Sequence, residues 1–351
     1  MIMKRTRETW VDLTKVLACV LVALGHFFQG LAGADIIGVS AVYTWFKQTI
    51  YYFHVPLFFL CSGYLYQKGA PVKSFKDWKA NVVKKLVVLG VPFAVFSCLS
   101  WGLKMVFAAE VNNPAGDLLQ ILFIHPSSPY WYLYTLFFMF LITPTMNNKG
   151  AAFAIGAMAA GVKWVALNWS TTNIFAVSSL MNHEIWFVLG MVIAFVDLPK
   201  LLRKQRNMQF VGLIMSVLFV AGSVAVYSRR LNSNILTFMF GIFGCSAAVI
   251  TAITAKFSDE TKKTFQSLAD YTMPVFLMHT IFAAGLRSVL LKFGVTNATI
   301  HIAAGLFISF AGPVLVGFVL KKLKWAEFIL YPGKFIKFKA DKEVQKHGRK
   351  A

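Results

Sequence analysis

The sequence predicts an all-α protein, a polytopic integral membrane helical bundle of about ten transmembrane helices with both termini cytoplasmic. Three observations predict it. Hydrophobic residues make up 58% of the 351 and the mean hydropathy is +0.64, more apolar surface than a soluble domain of this length can hide. The apolar residues fall in continuous runs, several reaching the roughly 20 residues that a helix needs to cross a roughly 30 Å hydrocarbon core, and they do not alternate as barrel strands do. Finally, 27 of the 35 Lys and Arg fall in the termini and in every second connection, as the positive-inside rule requires of an even number of spans. That rule also accounts for the net charge of +21, which in a soluble protein would suggest nucleic acid as a partner.

The first span, 11–31, follows the basic "KRTR". It precedes "LAGAD", whose Ala32 and Ala34 imitate a signal-peptidase site, but the run is longer than a signal core and is interrupted by polar groups, so it is expected to stay. In the second, 48–67, Pro56 removes its own N–H and frees a carbonyl near Tyr52, so the backbone is expected to kink there and line a cavity. The third, 86–108, follows a loop with six basic residues from Lys68 to Lys85. The fourth, 130–146, opens on Tyr130, Trp131, Tyr132 and Tyr134, read as an interfacial belt whose rings also suit stacking on sugars. Spans at 150–168, 183–197, 210–227, 235–255, 272–291 and 298–320 complete the set, the ninth carrying Pro274 and His279. Residues 1–325 read as one transmembrane domain and 326–351 as a basic cytoplasmic tail too short to fold alone. Cys19, Cys61, Cys98 and Cys245 lie inside spans without metal-site spacing and read as small core residues, so no metal is expected.

The first span carries three groups that lipid penalises: Asp12, Lys15 and His26. Lys15 and His26 are eleven residues apart, and eleven steps of about 100° return to within about 20° of the start, so they share a face about 16 Å apart along the axis. With the N-terminus inside, Lys15 sits near the cytoplasmic boundary and His26 in the outer half; both are expected to face one hollow between helices. Asp12, three residues before Lys15, is placed to pair with it or to cap the helix. Lys15 alone reads either as a snorkelling cation or as a phosphate contact. His54 is level with His26 and reads equally as site or interhelical hydrogen bond. Ser62 and Gly63 read as close packing or as a narrow passage. Glu184, starting the sixth span on the outer side, favours the helix dipole or contacts a ligand. His125 lies in the outer loop, and His183, His301 and His347 carry no assignment.

The Lys15 to His26 spacing resembles the Arg-x10-His motif of membrane-bound acyltransferase family 3. "YYFHVPLFFLCSGYLY", "SPYWYLYTLFFMFLITP", "EIWFVLGMVIA" and "YTMPVFLMHTIF" resemble its later helices in type and order, so the resemblance covers roughly residues 8 to 320. The family's arginine is Lys15 here, which keeps the charge and loses the planar fork. The glutamate of many relatives is missing from "WYLYTLFF", which moves the sequence toward the sugar O-acetylases without an attached extracellular domain. The resemblance implies transfer of an acyl group, usually acetyl, from cytoplasmic acyl-CoA to a hydroxyl of an envelope or lipid-linked carbohydrate, in a multi-pass bacterial plasma membrane protein.

A sugar hydroxyl needs a base to attack a thioester, and His26 is the candidate, as base or as acyl carrier, with His54 second. Lys15, Ser62, Gly63 and His279 are expected on the donor, and Glu184, Tyr130 and Trp131 on the acceptor. Two other classes fit the polar spans: a transporter or flippase for a saccharide or small solute, and a non-catalytic partner of a polysaccharide machine.

Overall fold

The computed structural model describes residues 7–69, 71–108, 112–169 and 172–336. Lys4 and Arg5 of "KRTR", the tail from Lys337 onward and His347 lie outside the described residues. The described chain is helical, with no strand. In order the α-helices are α1 (Thr9–Ala32), α2 (Ala41–Tyr51), α3 (His54–Gln67), α4 (Phe75–Val106), α5 (Leu118–Phe123), α6 (Trp131–Ile142) and α7 (Lys149–Asn168). There follow α8 (Phe175–Phe195), α9 (Leu198–Arg203), α10 (Met208–Ser228), α11 (Asn234–Thr254), α12 (Asp259–Asp270), α13 (Thr272–Lys292) and α14 (Ala298–Lys322). Two 3-10 turns, Lys324–Ile329 and Pro332–Lys334, pack back on α14 and α4.

Eight of these, α1, α4, α7, α8, α10, α11, α13 and α14, are long and apolar enough to cross a membrane. The other two predicted spans take a different form. Span 48–67 is broken at Tyr52 and Phe53, and α3 restarts at His54 with Pro56 in its first turn, where a missing N–H leaves no bond unmade. Span 130–146 contains only α6, 12 residues or about 18 Å, because Pro144 disfavours the helical conformation at the residue before it and Thr143 is extended.

Two boundaries fall earlier than hydropathy predicts. α4 begins at Phe75 because Ser74 and Asp77 form a reciprocal capping box that satisfies two free N–H groups. Ser74→Ala is expected to cost about 1 kcal/mol and to lower the thermal midpoint of the purified protein. α8 begins at Phe175 because its polar first turns bond inside the bundle: Ser179 Oγ meets Thr135 Oγ1 at 2.7 Å and Asn182 Nδ2 donates to Ser178 O.

α1 is central, half buried along its apolar stretch against 22% for α7 and α10, which are peripheral. It packs on α3 and α13; α3 in turn packs closely on α8. Tyr130 and Tyr132 do not form a lipid-facing belt. Both are buried, their hydroxyls donating to Leu277 O and Phe58 O. Cys19, Cys61 and Cys245 are buried core residues, whereas Cys98 lies exposed on α4.

Candidate functional site

Two cavities open at opposite ends of the bundle. The inner one, about 970 Å³, lies at the end where α1 begins, and the outer one, about 940 Å³, at the end where α7 finishes. Lys15 and Ser62 line the first; His26, His54 and Trp131 line the second.

The inner mouth is built by the start of α1 and the connection into α13. Asp12, expected to pair with Lys15 or to cap the helix, does neither: Glu8 is the N-cap residue and Asp12 binds Arg7, at 2.6 Å, while Arg7 bridges on to Asp270 at 2.8 Å. A guanidinium fork can satisfy two carboxylates at once, which the Lys15 ammonium, a turn further in, does not do. Glu8 is likewise engaged, accepting from Trp10 Nε1 at 2.7 Å and from the Tyr64 hydroxyl. Glu327 is held by Lys334 at 2.6 Å. Burial, with the nearby Asp270 and Glu327 carboxylates, raises the Tyr331 phenol above its ordinary pKa. The acids of this mouth therefore have other partners, and Lys15 makes no hydrogen bond or ion pair among the described residues.

In the outer cavity the α2–α3 break places His54 at the start of a helix. Its Nδ1 lies 2.6 Å from Ile50 O, and since a carbonyl only accepts, Nδ1 carries a proton, which in the neutral ring leaves Nε2 its lone pair. His279 on α13 is fixed the same way by Val275 O at 2.9 Å and Phe276 O at 3.0 Å; its buried Nε2 has no partner among the described residues. The His26 and His279 rings lie 5.4 Å apart, and His26 Nε2 is 3.4 Å from Ser128 Oγ. His26 and His54 thus line this cavity, with His279 buried beside His26, and none of the three is bonded to a carboxylate among the described residues.

The single hollow expected between Lys15 and His26 is divided. Phe58, Tyr132 and Phe276 meet pairwise with centroids 5.5 to 5.9 Å apart, forming a layer of rings between the cavities. Phe58 lies one turn inward of His54, Phe276 one turn inward of His279, and Tyr132 next to Trp131. The layer is tied by Ser62 Oγ, 2.9 Å from Tyr132 Oη.

The remaining candidates separate. Gly63 lies in the α3–α8 contact against Phe187 O and lines neither cavity. Glu184 is the tenth residue of α8 rather than a residue starting a span; it is buried, accepts from Thr143 at the end of α6 and lines neither cavity. Tyr130 is wholly enclosed. Sequence reasoning left aside Lys163, Asn182 and His183, all of which line the outer cavity. The signal for Lys163 is in the sequence, an ionisable group inside the apolar run 150–168.

Fold and site together define a multi-pass helical membrane protein with ligand-sized cavities at both ends. The acyltransferase domain family, acyltransferase family 3, matches residues 8–318, and the chain belongs to that family of membrane acyltransferases. It is similar to the nodulation protein NolL of Mesorhizobium japonicum, 28% identical over 170 residues, which cover 47% of this chain and 43% of that protein. The similarity thus spans less than half the length of that relative. No solved structure matches the chain.

Proposed function

We propose that the protein moves an acyl group, acetyl in the simplest case, from cytoplasmic acyl-CoA to a hydroxyl of a cell-envelope carbohydrate in the bacterial plasma membrane. The observation that carries this reading is that one helix lines both cavities, with an unpaired cation in the inner and an imidazole in the outer. The inner cavity takes the donor nucleotide, whose phosphates meet Lys15, and Ser62 flanks the acyl arm. The outer cavity takes the acceptor.

In the transfer, His26 Nε2 takes the proton of the acceptor hydroxyl while the acceptor oxygen attacks the thioester carbonyl carbon; the C–S bond breaks, the CoA thiolate leaves, and the His26 imidazolium returns the proton to it. In the other order, His26 Nε2 attacks the thioester carbonyl carbon, the C–S bond breaks and CoA thiolate leaves; the acceptor oxygen then displaces the acyl group from the imidazole, and the hydroxyl proton goes to the thiolate. His54 and His279, each with Nδ1–H held by backbone, act as positioning residues that leave unprotonated nitrogens beside the reaction point. The acyl arm reaches His26 past the side chains of Phe58, Tyr132 and Phe276, so the reading requires these rings to turn.

Purified protein given radiolabelled acetyl-CoA and candidate glycans tests the proposal: label must pass to glycan. Lys15→Gln is expected to raise the KM for acetyl-CoA about tenfold, the scale of one charge-assisted phosphate contact, with a smaller change in kcat. The ring layer between opposed cavities also suits a transporter of saccharides or small solutes. That reading predicts solute flux into proteoliposomes with no consumption of acetyl-CoA.

A further inference from the structure

The two cavities differ in charge. Arg7, Lys15, Lys68, Lys321 and Lys334 in the inner mouth are largely offset by Glu8, Asp12, Asp270 and Glu327, whereas among the described residues no aspartate or glutamate lines the outer cavity. Among the described residues its charged side chains are two lysines, Lys47 and Lys163, and its titratable groups are the imidazoles of His26, His54 and His183 with the phenols of Tyr51 and Tyr52.

Lys163 is the more informative. It is the fifteenth residue of α7, within the membrane-crossing stretch, and only 9% exposed. Its Nζ donates to Asn182 O at 3.1 Å and lies 5.3 Å from the Phe238 ring. No carboxylate stands within ion-pair distance of it among the described residues. An ammonium has three N–H groups, and burying one without a counter-charge costs several kcal/mol unless something else supplies the anion. Topology does not account for it either, since positive-inside bias disfavours lysine in the half of the membrane that the charge count places outside. The same cavity is lined by Trp131, Trp169 and Trp186, whose faces suit the C–H faces of sugar rings, and by Asn182 and Asn234, whose amides suit hydroxyls.

We infer that the outer cavity binds an anionic saccharide, one whose carboxylate or phosphate completes the pairing of Lys163, with Lys47 nearer the mouth. That this saccharide is the acyl acceptor rests on the acyltransferase reading; that it is anionic does not.

The full chain in nanodiscs, titrated calorimetrically, tests this with three probes: trigalacturonate, neutral maltotriose, and glucose on farnesyl diphosphate. At least one anionic probe is expected to bind about tenfold more tightly than maltotriose, weakening with salt. Lys163→Gln removes most of that preference and leaves maltotriose within about twofold, while Lys163→Arg retains it. Preference for trigalacturonate puts the anion on the sugar; preference for the diphosphate probe puts it on the carrier. Equal affinity for all three probes, or a Lys163→Gln loss shared equally with maltotriose, overturns the inference. Should Lys163→Gln fail to fold, Lys47→Gln on the half-buried rim of α2 takes its place, with about a threefold loss confined to anionic probes as the expected result and an unchanged preference as the contrary one. Consumption of acetyl-CoA is measured separately. Its absence alongside intact charge preference counts against the acyltransferase reading alone, whereas transfer to neutral glycans without charge preference counts against this inference alone.

Discussion

His26→Ala is expected to lower acyl transfer by about 10²- to 10⁴-fold, the range associated with loss of a positioned general base. The substitution is otherwise mild. His26 is half-buried at a cavity wall, and its recorded polar contact is the 3.4 Å approach to Ser128, so its removal enlarges a cavity and strands no buried charge. Donor binding is expected to survive, because Lys15 lies in the other cavity beyond the ring layer. The signature is therefore a fall in kcat with a nearly unchanged KM for acetyl-CoA. His26→Gln keeps hydrogen bonding but cannot accept the proton, and is expected to be as inactive as alanine. His279→Asn removes the imidazole packed beside His26 and is expected to cost less, since it positions rather than reacts. Wild-type turnover retained in His26→Ala would falsify both forms of the mechanism. Label trapped on wild-type protein without acceptor, and absent from His26→Ala, favours the acyl-carrier form.

The fold class was legible because continuous apolar runs and charge asymmetry are properties of the chain itself. The break at Tyr52 and Phe53 was legible as well, since Pro56 acts on its own backbone. What the sequence conceals is decided between segments. Asp12 sits three residues from Lys15, an ideal helical pair, yet Arg7 takes its carboxylate because α12 brings Asp270 alongside and one guanidinium joins the two. Glu184 read as an outer helix start because Ser178, Ser179 and Asn182 lower local hydropathy. Those groups are satisfied inside the bundle, so α8 runs two turns further and carries Glu184 to mid-membrane. The shared face of Lys15 and His26 follows from helical periodicity, but the ring layer dividing their surroundings draws on α3, α6 and α13, and no spacing within α1 reports it.

Gly190→Ala and Gly63→Ala are expected to be the most damaging single substitutions to the fold. The two glycines face each other across the α3–α8 contact: a Cβ on Gly63 would overlap the carbonyl oxygen of Phe187, and one on Gly190 would overlap the carbonyl oxygen of Leu60. Backbone cannot turn aside as a side chain can, so one methyl group must push the helices apart. Close approach through small residues is how helices gain contact in a membrane, where no hydrophobic drive holds them together. Separation would also reach the site, for α3 carries His54 and Ser62 while α8 carries Asn182, His183 and Trp186. Each variant is expected to lose about 3 kcal/mol, the upper part of the overpacking range, seen as aggregation in detergent or a lowered thermal midpoint. Gly161→Ala on α7 is the control, because a Cβ there meets nothing within 4 Å and alanine is the better helix former. If Gly63→Ala and Gly190→Ala melt like Gly161→Ala, α3 and α8 do not approach at these residues, and the placement of His54 beside His26, which depends on that approach, fails with it.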